Sequence, residues 1–382
     1  RVLFRSVMGE LAGWERPNWY ASGDQKAEYE YTYERPSWFD AVEAECLAVR
    51  DHVALFDQSS YPVFEVHGKS ATQELNYLCA NNIDVPVGNI VYTQCLNDRG
   101  GIEADLTVTR LAQHHYMVVS TCATERRDFL WLERGLQEAV ITNVSSGLGI
   151  IGLMGPAARA LLEDASGEAW SDEKFPYYTS RQLEIGYALV RANRMSYVGE
   201  LGYELYVPAE FMLHVYERLT EAGAPLGMKH AGFHAMNSCR IEKGFRHWGH
   251  DISEEITPYQ AGLGFAVDHG RDDFVGKAAL AGQAGVQTTR VVNFTVESND
   301  SPQLLHDEPI YLGDQLVGMS TSGMMGFRLG KAVGLAVLKR QEGVSSKWLK
   351  TAELEIEVAG ERFPITAQLR PFYDPEGKRL RS

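Results

Sequence analysis

The chain has 382 residues, enough for two or three domains with separate cores, and its 45% hydrophobic and 23% charged content is ordinary for a globular protein. A formal charge of −15, from 51 acidic and 36 basic side chains, argues against a nucleic-acid partner, which needs a basic face. A small anionic ligand would need a local Arg or Lys.

Cys46, Cys79, Cys95, Cys122 and Cys239 are dispersed and form no Cys-x-x-Cys pair or zinc spacing. They read as reduced thiols of a cytoplasmic protein, or of the mitochondrial matrix in a eukaryote. Neither a transmembrane run nor a signal peptide is read, so no membrane partner is expected. The chain begins without Met, and residues 1–6, Arg-Val-Leu-Phe-Arg-Ser, read like a translated sequencing adapter. They are expected to be non-native, with the gene continuing upstream.

Residues 7–35 are rich in aromatics, densest at Gly13-Trp14-Glu15-Arg16-Pro17-Asn18-Trp19-Tyr20, and show neither a 2.0 nor a 3.6 period. They read as a connecting arm. Over 36–53 the apolar positions Phe39, Val42, Cys46, Val49 and Val53 predict an amphipathic helix. A strand at 63–68 and a helix at 69–80 follow. Strands at 90–96 and 106–111 flank the Gly100-Gly101 turn, with a third at 116–120. The spacing then predicts a helix over 124–138, a strand over 149–154 and a Pro156-led helix to 163. Strands at 182–192 and 203–207 and a helix at 210–222 come next. Beyond about residue 285, β-rich runs at 290–296, 309–312, 315–321, 332–338 and 354–358 indicate a small barrel or sandwich. The only helical segment read near it lies around Ala278.

Gly147-Leu148-Gly149-Ile150-Ile151-Gly152 matches a dinucleotide fingerprint in letters. The context is wrong, because 150–154 reads as strand and the helix starts only after Gly155-Pro156. His114-His115 and His247-x-x-His250 have no carboxylate at a familiar ligand spacing and read as hydrogen-bonded structure, so no metal is expected.

Three segments carry chemistry. Gly100-Gly101 hands over to an alternating strand with Asp105 at its entrance, where a rigidly held carboxylate suits a general base or a charge that stabilises an iminium. Tyr197-Val198-Gly199-Glu200-Leu201-Gly202-Tyr203-Glu204 is a second glycine turn. It is either a hairpin with solvated acids or a site where Glu204 accepts two parallel N–H bonds from a ring edge. The 239–252 segment gathers Arg240, Lys243 and Arg246 among aromatics. It is either counter-charge for an anionic ligand or a charged helix end resting on its own dipole.

In this order and at these intervals the segments resemble the glycine cleavage aminomethyltransferase (T-protein) family. The resemblance is closer still to the C-terminal folate-binding half of the flavin-dependent dimethylglycine and sarcosine dehydrogenases. The arm at 13–19, Glu242-Lys243-Gly244-Phe245-Arg246, Thr257-Pro258, Gly262-Leu263-Gly264 and Tyr373-Asp374-Pro375-Glu376-Gly377 extend it over 7–382. It implies an α+β fold: a folate-binding region of two α+β domains over 36–285, then a C-terminal β-barrel over 286–382. The arm at 7–35 would lead from a flavin domain of the same polypeptide.

The family's catalytic Asp falls on Asp105, its folate contacts on Tyr92, Tyr197 and Glu204, and a basic residue near the ligand on Arg240. Ala104 stands where glycine-cleavage members commonly carry an additional acid. The implied activity is transfer of an iminium carbon from a small N-methyl amine to tetrahydrofolate, giving 5,10-methylenetetrahydrofolate, with FAD entering only through the upstream domain. A standalone aminomethyltransferase or tetrahydrofolate-dependent demethylase, and a non-catalytic folate-binding module, are the alternatives.

Overall fold

A computed structural model describes residues 5–32, 34–298 and 300–382. Residues 1–4 of the adapter-like segment lie outside the described residues. The arm is structured: Ser6–Leu11 and Trp14–Tyr20 form an antiparallel hairpin that turns at Ala12 and Gly13, both at positive φ. A register shift opposite Pro17 and Asn18 breaks the two-residue alternation, which is why no period shows in the sequence. Trp19 is fully buried. The backbone N–H of Tyr20 donates to Glu45 on the helix Phe39–Asp51, tying the hairpin to the body.

Two antiparallel-rich sheets follow. The five-stranded sheet runs in the order Ile90–Leu96, Ile102–Ala112, His115–Val119, Val63–His67, Val140–Asn143. One face packs Phe64, Val66, Leu106, Val108 and Val118 beneath the helices Ala71–Leu78 and Glu125–Gly135. The six-stranded sheet is ordered Ser180–Ile185, Ala188–Asn193, Gly202–Pro208, Leu148–Met154, Ala54–Asp57, Lys229–His230. Its core gathers Trp170, Phe175, Tyr203 and Leu205 against the helices Ala158–Ser166 and Met212–Gly223. The opposite faces of the two sheets meet through Val63, Met117, Ile150 and Tyr206.

The run 182–192 is two strands, not one, because Gly186 at φ 59 turns the chain inside an otherwise continuous alternation. The 147–152 glycines lie in and just before the strand Leu148–Met154, and the two inside it, Gly149 and Gly152, serve packing. A Cβ on Gly149 would sit 2.3 Å from the Met212 sulfur, and one on Gly152 would sit 2.2 Å from the Gln58 amide oxygen.

From Thr289 onward six strands close into a barrel: Thr289–Val296, Lys331–Lys339, Gln315–Gly326, Pro309–Leu312, Leu354–Val358, Glu361–Gln368. The last strand escapes sequence reading because Pro364 and mostly exposed side chains interrupt its apolar pattern. The helix Phe233–Glu242 joins the parts. Glu242 on it pairs with buried Arg50 at 2.7 Å and accepts the backbone N–H groups of Arg328 and Leu329 from the barrel. Among the described residues no helix is long and apolar enough to cross a membrane.

Candidate functional site

A cavity of about 580 Å³ opens between the two sheets, roofed by the loop after the helix Phe233–Glu242 and by the C-terminal segment from Leu369 to Arg381. That size lies in the range of small-molecule sites. Asp105, Tyr92, Tyr197 and Glu204 all line it.

Gly100 and Gly101 fix where the Asp105 strand begins. Gly100 has φ +82, and a Cβ on Gly101 would stand 1.8 Å from the backbone oxygen of Glu254, so the turn is pressed against the 254 loop. From Ile102 the side chains alternate: Ala104 and Leu106 go into the sheet's helix-covered core, and Asp105 faces the cavity. Ala104 is therefore a core residue with no access to the site. On the neighbouring strand Gln94 lies opposite Asp105 and donates from Nε2 to Oδ1 at 2.9 Å. Burial pushes the Asp105 carboxyl up to about 6, with the Gln94 amide and Tyr92 hydroxyl holding it back.

The second glycine turn separates its two acids. Glu200 is buried in the structural cluster with Arg50, 3.3 Å away, and the Tyr373 hydroxyl. Glu204, on the strand Gly202–Pro208, faces the cavity and accepts from the Tyr206 hydroxyl at 2.8 Å. Burial raises it to about 7, opposed by the bonds from Tyr206 and Gln58. The hairpin with solvated acids is thus replaced by two buried carboxylates with different partners. Tyr197 donates to the Arg246 backbone oxygen at 2.6 Å and lies parallel to Phe245, with ring centroids 5.9 Å apart. Tyr92 stacks with Phe265, which is 72% exposed at the cavity's edge.

Arg240 does not line the cavity. Its guanidinium pairs with Asp251 at 2.6 Å and donates to Asn237, Ser322 and the Phe245 backbone oxygen, so its donors are spent inside the protein. The residue expected to contact a ligand thus sits outside the cavity lining and supports the 245–251 loop. The basic groups on the wall are Lys243, Arg246, Arg370 and Arg381. Lys243 is held by Asp374 at 2.8 Å, whereas Arg370 and Arg381 are exposed.

Sequence reading missed Gln58, Tyr61, Tyr178 and Tyr206, which also line the cavity. Tyr206 was accessible in principle, being two residues beyond Glu204 on a period-two strand. Tyr178 has φ 59, an unfavourable backbone conformation for a tyrosine, and no pattern marks it. The Gln58 amide oxygen is buried without a hydrogen-bond partner.

Residues 4–271 match the family described as the GCVT N-terminal domain, and residues 290–374 the one described as the glycine cleavage T-protein C-terminal barrel domain. The chain belongs to the glycine cleavage T-protein, or aminomethyltransferase, family. Among relatives of this T-protein-type chain is a 4-methylaminobutanoate oxidase (formaldehyde-forming) from Paenarthrobacter nicotinovorans. It is 41% identical over 98% of this chain and 45% of the relative. Human mitochondrial sarcosine dehydrogenase is 32% identical over 98% of this chain and 46% of its own length. The chain thus spans a little under half the length of these relatives. The crystal structure of the glycine cleavage system aminomethyltransferase T from Bartonella henselae superposes with a TM-score of 0.82, at 24% identity over 98% of this chain and 96% of that one. The T-protein architecture of α+β body and C-terminal barrel therefore holds for the whole chain.

Proposed function

We propose that this chain is the folate-dependent one-carbon transfer half of a flavoprotein N-methyl-amine dehydrogenase of the dimethylglycine or sarcosine type. Its reaction would pass an iminium carbon to tetrahydrofolate. The observation that carries the reading is the pair of cavity-facing carboxylates, Asp105 and Glu204, on facing sheets of one cavity inside a T-protein fold. Tetrahydrofolate, when bound, supplies the amine nitrogens N5 and N10 that take up the carbon.

Glu204 would accept N–H donors of the pterin edge, with the orphaned Gln58 oxygen a further acceptor beside it. Tyr92, Tyr197 and Tyr178 supply aromatic walls. Asp105 would hold its charge against the developing cation and take one of the two N–H protons lost on transfer, while the departing amine takes the other. A carboxyl poised at about 6 is largely ionised at neutral pH yet basic enough to accept that proton. Exposed Arg370 and Arg381 provide counter-charge for the carboxylates of a folate tail in an otherwise acidic protein.

The FAD chemistry that makes the iminium would belong to an upstream domain of the same polypeptide. The shared coverage of less than half of each oxidase relative supports that division. The first relative's name gives formaldehyde as product, which is what iminium hydrolysis yields when no folate captures the carbon.

One assay separates these outcomes. With tetrahydrofolate and formaldehyde as donor, the chain should accelerate formation of 5,10-methylenetetrahydrofolate above the uncatalysed rate. Asp105→Ala should lose that acceleration by about 100-fold or more while its folate affinity changes little. Equal acceleration by the two proteins would remove Asp105 from the chemistry, and folate binding without acceleration by the parent would leave a folate-binding module.

A further inference from the structure

Outside the cavity lining, the five-stranded sheet carries a second cluster of titratable side chains. His67 and His115 are direct cross-strand partners on Val63–His67 and His115–Val119, and their rings stack with centroids 4.7 Å apart. Glu65 is two residues before His67, hence on the same face. Its Oε2 lies 3.0 Å from His115 Nε2. One ligand atom from each of the three side chains falls within 4.8 Å of the others, and all three are partly exposed. The adjacency of His114 and His115 in sequence is incidental: the carboxylate that linear spacing lacked comes from the neighbouring strand.

We propose that Glu65, His67 and His115 form a site for a divalent transition-metal ion, with Zn²⁺ the best match. Two imidazoles and one carboxylate are the donor set of borderline divalent cations, whereas Ca²⁺ and Mg²⁺ prefer all-oxygen shells. Metal–ligand bonds of about 2.0–2.2 Å require the donor atoms to draw in to roughly 3.3 Å of one another. Partly exposed side chains on a rigid two-strand ladder reach that by small rotations about χ1 and χ2. The backbone supplies the preorganisation, since cross-strand register fixes the Cα positions of all three. Partial exposure leaves a fourth position open to water. Arg191, on the six-stranded sheet, is near enough to Glu65 to feel its charge. It donates to Ser180 at 3.1 Å.

The test uses tag-free protein stripped with a chelator and titrated with ZnCl₂ alone, followed by Co²⁺ as a spectroscopic substitute. The expected result is one saturable equivalent, visible d–d bands with Co²⁺, and a Tm raised by Zn²⁺ because the folded chain alone binds it. His67→Ala and His115→Ala should each weaken binding by about 100-fold or more, beyond what loss of an outer partner costs, and Glu65→Gln should weaken it as well. Unaltered circular dichroism of these surface variants shows that they fold. The His250→Ala/His306→Ala protein should bind like the parent, although its own imidazoles lie near each other, with ring centroids 5.9 Å apart. Absence of saturable binding, or binding that survives loss of both His67 and His115, overturns the site. So does binding lost with His250 and His306 instead.

Discussion

Asp105 and Glu204 are two carboxyls that burial pushes to about 6 and about 7, and their partners decide how each is used. Gln94 and Tyr92 hold Asp105, while Tyr206 and Gln58 hold Glu204. Because the folded chain keeps the Asp105 proton to higher pH than the unfolded chain, its charge costs stability as pH rises from about 4 through 6, and at all higher pH. Asp105→Asn should therefore stabilise the chain by up to about 3 kcal/mol at pH 8 and by nothing measurable near pH 3, read by denaturant unfolding at both values. Glu204 must ionise to accept pterin N–H donors, so folate affinity should rise with pH through about 7 and lose that dependence in Glu204→Gln, as followed by fluorescence titration. These acids were legible because each sits beside a glycine turn entering a period-two strand. Arg240 was legible as a basic residue but not as a buried partner of Asp251, since that pairing joins a helix to a loop only in space. Tyr178 carried no signal, because its position depends on a backbone conformation that no residue pattern announces.

At the scale of the element, the turn before Asp105 is set by contact more than by flexibility. Gly101→Ala would drive a methyl into the Glu254 carbonyl, and relief requires the strand or the 254 loop to move. A loss of about 1–3 kcal/mol is expected in urea unfolding, together with weakened folate binding, since the same shift displaces Asp105. A variant of unchanged stability and affinity would show that the turn does not position the strand. Strands such as Ile90–Leu96 and Leu354–Val358 were readable to the residue because a short β-rich run, alternating Leu, Ile and Val with Glu in the second, is bounded by turn residues. The arm was not. Its alternation is broken opposite Pro17 and Asn18, so a hairpin looked like aromatic coil, and only burial of Trp19 against the body reveals its register.

Across the whole molecule, one buried ionic cluster holds the parts together around the cavity. Arg50 from the first long helix reaches Glu200 of the second glycine turn and Glu242 of the connecting helix, and Glu242 caps the barrel's 328–329 backbone. Glu242→Ala leaves a buried guanidinium with half its counter-charge and two N–H groups unpaired. A loss of about 3–5 kcal/mol is expected in thermal or denaturant unfolding. The same arrangement places the exposed Arg370 and Arg381 at the cavity. A chain of net charge −15 thereby presents local positive charge where an anionic ligand would enter. The most direct test of the account is calorimetric titration of the chain with tetrahydrofolate under reducing conditions. One site per chain, weakened at least about tenfold by Glu204→Ala, which removes a charge-assisted hydrogen bond, is the predicted result. No heat of binding, or binding indifferent to Glu204, would contradict it.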